Sequence, residues 1–189
     1  MTKPKRKWEQ RHLQLRPDHT WKSNPGYKIF VAGRGDVRFD VPSDWHFEPG
    51  ESSVKFFDRP PPDDDCRLEV SYLKLNPQID WSGYPLEKLL KDAIIPGEMR
   101  KPHTRSGFIR VKRDDLEAVW YQIHFLDTDE WREACTRACL ARGANVQPLI
   151  TLDYWLDDAP RVEPVWDEVL RTLQLGQYVR DPTRGRVVH

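Results

Sequence analysis

The sequence predicts an α+β fold in which a mainly antiparallel β-sheet is covered by helices, and three observations carry that expectation. Apolar residues recur with a period of two in runs that pair around turn-forming clusters. Two other runs have the 3.6-residue period of a helix and are bounded by Pro and Gly. The runs follow one another as β-rich, α, β-rich, α, which suits an antiparallel sheet with helices laid on it better than alternating parallel units. A chain of 189 residues, 38% hydrophobic and with eight Trp, can bury one substantial core built largely from aromatic rings.

Residues 1–25 show no sustained period, are dense in charge and end in the turn cluster Ser23-Asn24-Pro25-Gly26, so they read as a basic N-terminal arm. Residues 26–176 read as a single α+β domain and residues 177–189 as a tail. An opening hairpin is expected from Ile29 and Val31, then Gly33-Arg34-Gly35-Asp36 as the turn, then Val37, Phe39 and Val41 alternating with Arg38 and Asp40. A second pair of strands, residues 54–57 and 67–75, is joined across Arg59-Pro60-Pro61-Pro62-Asp63-Asp64-Asp65, a run that no strand or helix can contain.

The first helix is expected over residues 84–95, because Leu86, Leu89, Leu90, Ala93 and Ile94 make one apolar stripe between Pro85 and a Pro96-Gly97 stop. Residues 108–112 and 119–125 form a hairpin around Arg113-Asp114-Asp115, with Val119, Tyr121, Ile123 and Phe125 on one face and Trp120, Gln122 and His124 on the other. Residues 149–156 are a strand. The last helix, residues 163–175, buries Val165, Trp166, Val169, Leu170 and Leu173 and stops at Gly176. Residues 131–142 fit two patterns equally: Trp131, Ala134, Cys135, Ala138 and Cys139 form a helical stripe, whereas the place just before a turn and a strong strand suits a hairpin partner.

Composition excludes several classes of protein. No run approaches the ~18 apolar residues of a membrane-spanning helix. The basic start, Lys3 to Lys7, is followed by Trp8-Glu9-Gln10-Arg11-His12 rather than by an apolar secretory core. Three Cys make no disulfide framework, and reduced thiols in a cytoplasmic setting are the expectation. The formal net charge of zero hides an asymmetry. Residues 1–38 carry ten Lys/Arg against three Asp/Glu, residues 39–175 carry seventeen against twenty-six, and the tail carries three against one. The basic arm therefore either meets an anionic partner or folds onto an acidic surface.

No motif assigns a catalytic residue, a metal site or a cofactor. Cys135 and Cys139 share a face in either a helix or a strand, yet no second pair of Cys or His lies nearby at ligand spacing, so they read as small buried apolar groups. His46, His103 and His124 are available as bases, but no nucleophile sits in a Gly-x-Ser-x-Gly turn and no His-Glu-x-x-His occurs. Gly33-Arg34-Gly35 lacks the spacing of a phosphate loop. The runs Asp63-Asp64-Asp65 and Asp157-Asp158 lack the alternation of a calcium loop and read as solvated charge, with Asp158 also a candidate helix cap. The most suggestive binding residues are Lys5, Arg6, Lys7, Trp8, Arg11 and Trp21 of the arm, where cations and rings are suited to phosphates and bases. A solubilising tail, or docking of Trp8 and Trp21 on the domain or on a neighbouring subunit, is the plainer reading, and the acidic body weighs against nucleic acid.

Two segments carry a resemblance to a known fold family. Phe39-Asp40-Val41-Pro42-Ser43-Asp44-Trp45 resembles the "strand, Pro, x, x, Trp" opening of the PsbP-like α/β sandwich. Leu149-Ile150-Thr151-Leu152-Asp153-Tyr154-Trp155, leading into Trp166-Asp167-Glu168-Val169-Leu170-Arg171-Thr172-Leu173, resembles its closing strand and helix. The family's fold is shared by the photosystem extrinsic protein, the Ran-binding nuclear-import factor and bacterial effector chaperones. The resemblance implies a scaffold for binding and no catalytic or metal residue. The expectation is a non-enzymatic interaction module with a protein partner, a homodimer being one form, without membrane contact. Two alternatives belong to other classes: an enzyme with a pocket between sheet and helices, around residues such as Cys135 or His124, and nucleic-acid binding through the arm.

Overall fold

The computed structural model of the chain describes residues 22–94, 102–181 and 186–188. Strands β1 (Tyr27–Ala32) and β2 (Val37–Pro42) form the opening hairpin, with Phe30 opposite Phe39 and Ala32 opposite Val37. Then come β3 (His46–Pro49), β4 (Ser53–Phe57), β5 (Cys66–Lys74), helix α1 (Leu86–Ile94), β6 (Pro102–Arg105) and β7 (Ile109–Lys112). The long strands β8 (Glu117–Asp127), β9 (Arg132–Arg142) and β10 (Val146–Trp155) follow as a meander. A short 3₁₀ turn, Leu156–Asp158, leads into α2 (Ala159–Thr172). Strand β11 (Gln174–Leu175) returns to β2, and β12 (Tyr178–Asp181) and β13 (Arg186–Val188) pair with each other.

The large sheet is antiparallel in every pairing, in the order β3-β4-β5-β10-β9-β8-β6, with β7 and β6 end to end along the same edge of β8. One face packs on α2 and the small β1-β2-β11 sheet. That core joins Phe39 and Val41 of β2, Phe56, Leu68, Ile150 and Leu152 of the large sheet, and Val162, Trp166 and Val169 of α2. The opposite face of β8 and β9 is covered by α1, whose Leu86 and Leu90 meet Val119, Tyr121, Ile123, Phe125, Ala138 and Leu140. The α+β sandwich expected from the order of elements is the observed fold.

Residues 131–142 resolve as strand β9. Covered on both sides, β9 contributes Cys135, Cys139 and Ala141 to one core and Ala134, Ala138 and Leu140 to the other. Burial on both faces erases the two-residue alternation and leaves an apolar run that also fits a helix. Small residues there let two layers approach one strand. Arg137 is the long exception: 7% exposed, it donates Nε to Gln122 and pairs through Nη2 with Glu163, while its guanidinium lies 5.5 Å from the Trp120 ring centroid and 5.7 Å from that of Tyr154.

The last helix begins at Ala159 rather than at residue 163. Pro160 sits in its first turn, where no N–H is needed, and Pro164 is accommodated inside it. Asp158 makes no side-chain cap; its own backbone is already helical (φ −87°, ψ −1°), a geometry left over from the 3₁₀ turn. Gly176 (φ +68°) turns the chain after β11 rather than ending the helix, which stops four residues earlier. On α1 the stripe is narrower than its sequence period, with Leu86 and Leu90 buried, Leu89 half-buried and Ala93 exposed, because the helix lies mainly over β8 and β9. Two short strands, β3 and β6, have no alternation that marks them and are defined by their pairing with β4 and β8.

Just before β1, Asn24 Nδ2 donates to Glu168 Oε1 at 3.0 Å, and Arg171 holds the same carboxylate through Nε (2.8 Å) and Nη2 (2.6 Å). Beside it, the buried pair Arg38–Asp40 (2.8 Å) is tied to Thr172 through its carbonyl and hydroxyl oxygens. These bonds fix the end of α2 to β2.

Candidate functional site

Two loops far apart in sequence meet at one end of the large sheet. The first, residues 58–65, is closed by the Asp58 carboxylate, whose Oδ1 accepts the backbone N–H groups of Asp65 and Cys66, both at 3.0 Å. Asp58 Oδ2 in turn binds Arg161 of α2 at 2.9 Å. The second is the β8–β9 turn, where Asp127 Oδ1 accepts the N–H groups of Asp129 (3.0 Å) and Glu130 (3.1 Å). Asx closure of this kind leaves the next residue to reverse the chain in the left-handed region, and that residue is Trp131, with φ +51°. For a bulky side chain this backbone is an outlier. Trp131 is also 77% exposed, the most solvent-facing large apolar side chain among the described residues.

Between the loops lies an open cleft of about 550 Å³, walled by Asp63, Asp64 and Asp65 on one side and Glu130 and Arg132 on the other, with Trp155 at its edge. Arg132 stacks 5.1 Å above the Trp155 ring and faces three carboxylates, Asp65 (3.6 Å), Asp157 (3.6 Å) and Asp158 (3.5 Å). Those separations exceed the 2.7–2.9 Å of a tight charge-assisted bond. Arg59 pairs with Asp65, Arg161 with Asp158, and Arg67 with Asp153 at 2.7 Å. Adding Asp58, Asp63, Asp64, Asp127, Asp129, Glu130 and Glu133 to these pairs gives this end an excess of seven negative charges, most of the excess of nine carried by residues 39–175. The carboxylates of the two Asp runs thus converge around a guanidinium and a ring, rather than standing as separate solvated loops. What hid this from the sequence is separation along the chain, about 60 residues between the two loops and about 90 between the two Asp runs; the one local signal is Asp127-x-Asp129-Glu130-Trp131, acidic and aromatic at a turn.

Other sequence candidates are placed differently. Lys5, Arg6, Lys7, Trp8, Arg11 and Trp21 lie outside the described residues. Cys135 and Cys139 do share a strand face, but four residues of strand separate them by about 13 Å, too far to hold one ion together. Among the described residues, no three His, Cys, Asp or Glu side chains converge as a metal-binding group. Cys135 lies opposite His124 in the ladder, the juxtaposition a thiol enzyme would use, yet Cys135 is fully buried and burial pushes its thiol pKa up. Burial likewise pushes Cys139 up to about 12 and Cys66 up strongly. His103 stands 3.8 Å from Glu133 on the outer strand, and His46 is exposed.

The profile of the family described as Alr1449 matches residues 28–179. The chain belongs to the Alr1449 family. The protein alr1449 of Nostoc sp. strain PCC 7120 is 48% identical over 179 residues, covering 94% of this chain and 92% of that protein. Among solved structures, the cyanobacterial PsbP protein CyanoP of Synechocystis sp. PCC 6803 superposes with a TM-score of 0.55 at 11% identity, over 82% of this chain and 95% of CyanoP. LpqN of Mycobacterium tuberculosis, described as involved in cell envelope biogenesis, superposes with a TM-score of 0.52 at 15% identity, over 79% and 90% of the two chains. The PsbP-like fold expected from residues 39–45 and 149–173 is therefore the fold of this Alr1449 member. No helix among the described residues is long and apolar enough to cross a membrane.

Proposed function

We propose that this protein is a non-enzymatic interaction module whose acidic, ring-bearing cleft receives a positively charged protein segment. The observation that carries the reading is Trp131. A left-handed backbone costs a bulky residue about 1–2 kcal/mol, and the quarter of the ring that is covered returns no more than about the same amount, so Trp131 adds little net stability to the fold. Strain of this kind, on an exposed aromatic, belongs to residues kept for a contact the folded chain does not itself supply. The carboxylates of the cleft define the chemistry of the contact, since Trp131 lies in the chain between the lining residues Glu130 and Arg132, and Lys and Arg gain both from their charge and from stacking on an exposed ring. Arg132 over Trp155 is the arrangement a partner cation would repeat.

The test is a titration of the full chain with an oligolysine peptide, followed by NMR of the Trp indole signals. Saturable binding that shifts the Trp131 signal, and that weakens about tenfold or more in both Trp131→Ala and the triple variant D63N/D64N/E130Q, supports the reading. Binding indifferent to Trp131→Ala overturns it, because a diffuse acidic surface would bind oligolysine without the ring.

A second reading, nucleic acid held by Lys5, Arg6, Lys7, Trp8, Arg11 and Trp21, is favoured by the clustering of cations around Trp8. It requires affinity for single-stranded oligonucleotides that falls steeply with salt and disappears when these cations are reversed. The negative end of the sheet opposes it.

A further inference from the structure

We infer that the first occupant of the cleft is this chain's own N-terminal arm, bound in cis, so that an external partner must displace it. The inference rests on the cleft being a binding surface for cationic segments. Charge complementarity is the first argument: residues 1–21 carry Lys3, Lys5, Arg6, Lys7, Arg11 and Arg16 against Glu9 and Asp18, an excess of four positive charges opposite in sign to the excess of seven at the cleft end. Composition is the second. Trp8 and Trp21 stand among those cations, the same pairing of ring and guanidinium that Arg132 and Trp155 already make in the cleft.

Reach is the third argument, and it favours the same chain over a second copy. The arm is fixed to the domain at Asn24, which bonds Glu168 on α2. Asp158, at the cleft, is ten residues back along that helix from Glu168, about 15 Å away. From Asn24 to Arg16 the chain can span up to about 28 Å, and to Arg11 more, so the basic residues reach the cleft without strain on length. A tether of that size presents the arm at an effective concentration of order millimolar, which a separate copy at micromolar concentration does not match.

The experiment uses the full chain with p-benzoylphenylalanine in place of Trp131, which keeps an aromatic ring at the turn. Equal amounts of ¹⁴N- and ¹⁵N-labelled protein are mixed, irradiated and mapped by mass spectrometry. The expected result is adducts between position 131 and residues 1–21 within one isotope label, falling about tenfold between ~0.05 and ~0.5 M salt and lost in the full-length variant K5E/R6E/K7E. Adducts joining the two labels overturn the inference in favour of a second copy's arm. Adducts elsewhere, or none, overturn it outright. If arm adducts fail while oligolysine still binds through Trp131, the assignment of the arm falls and the cleft stands; if neither is seen, both fall.

Discussion

Replacing Trp131 by Asn separates a residue kept for a partner from one that holds the fold. Asn tolerates the left-handed region, so the substitution relieves about 1–2 kcal/mol of backbone strain at φ +51°. Against this stands the quarter of the ring that is covered in the folded chain. Trp131 is 77% exposed, which leaves about 60 Å² of a side chain of order 250 Å², or about 1.5 kcal/mol at ~25 cal/mol per Å². The two effects offset, and the folding free energy should change by less than about 1 kcal/mol in a urea titration followed by circular dichroism, while affinity for oligolysine falls by about tenfold or more. The same assay on Trp166→Ala, a ring buried in the main core, should lose about 3–5 kcal/mol. A loss beyond ~2 kcal/mol for Trp131→Asn would show that the turn needs the indole for packing, and the case for a reserved contact would fail.

Three further outcomes follow from the geometry. Arg137→Met should cost about 2–3 kcal/mol in the same titration, and Arg137→Lys should recover little of it, since a point charge cannot bond Gln122 and Glu163 while lying against both Trp120 and Tyr154. Gly176→Ala should lose at least about 2 kcal/mol, because it combines φ +68° with a Cβ that would stand 2.3 Å from the Ala144 Cβ. For pH, the hydrogen bonds from Arg171, with Asn24 and Arg38 adding to them, hold the Glu168 carboxyl below its ordinary pKa. That group stabilises the fold above the unfolded value of about 4.3 and loses its contribution as pH falls through the depressed one. Asp40, raised chiefly by burial, works in the opposite direction, so the comparison to make is the urea midpoint of Glu168→Gln against the parent between about pH 5 and pH 3, where the variant should decline less.

Much of the fold was legible because its signals are local. The opening hairpin, the β8 alternation and the stripes of α1 and α2 each lie within sixteen residues, and each pattern follows from which face is covered. Strand β9 was ambiguous for a physical reason, being covered on both faces, and the two prolines of α2 hid its true start by mimicking a boundary. The cleft was not legible. Its walls come from residues 58–65, 127–133 and 155–158, and nothing within any one of them says that Arg132 meets Asp65. Asp58, whose carboxylate bonds close one wall, reads in sequence as an ordinary loop acid. Trp131 was visible as one tooth of a helical stripe, and only the turn turns it outward.

The three thiols have a practical consequence. Cys66, Cys135 and Cys139 lie on β5 and β9, the strands that flank β10, fully covered, and burial keeps each of them protonated well above neutral pH. An alkylating reagent reacts with thiolate, so labelling of the native chain has to wait for the layers to part. Mass added per cysteine against time then acts as a built-in clock for opening: simultaneous labelling of all three marks the sandwich coming apart as one unit, and early labelling of Cys66 alone marks β5 separating first. The same silence makes the folded chain a clean background for a single engineered surface thiol, with which a fluorophore placed beside the cleft could report on arrival and departure of the arm.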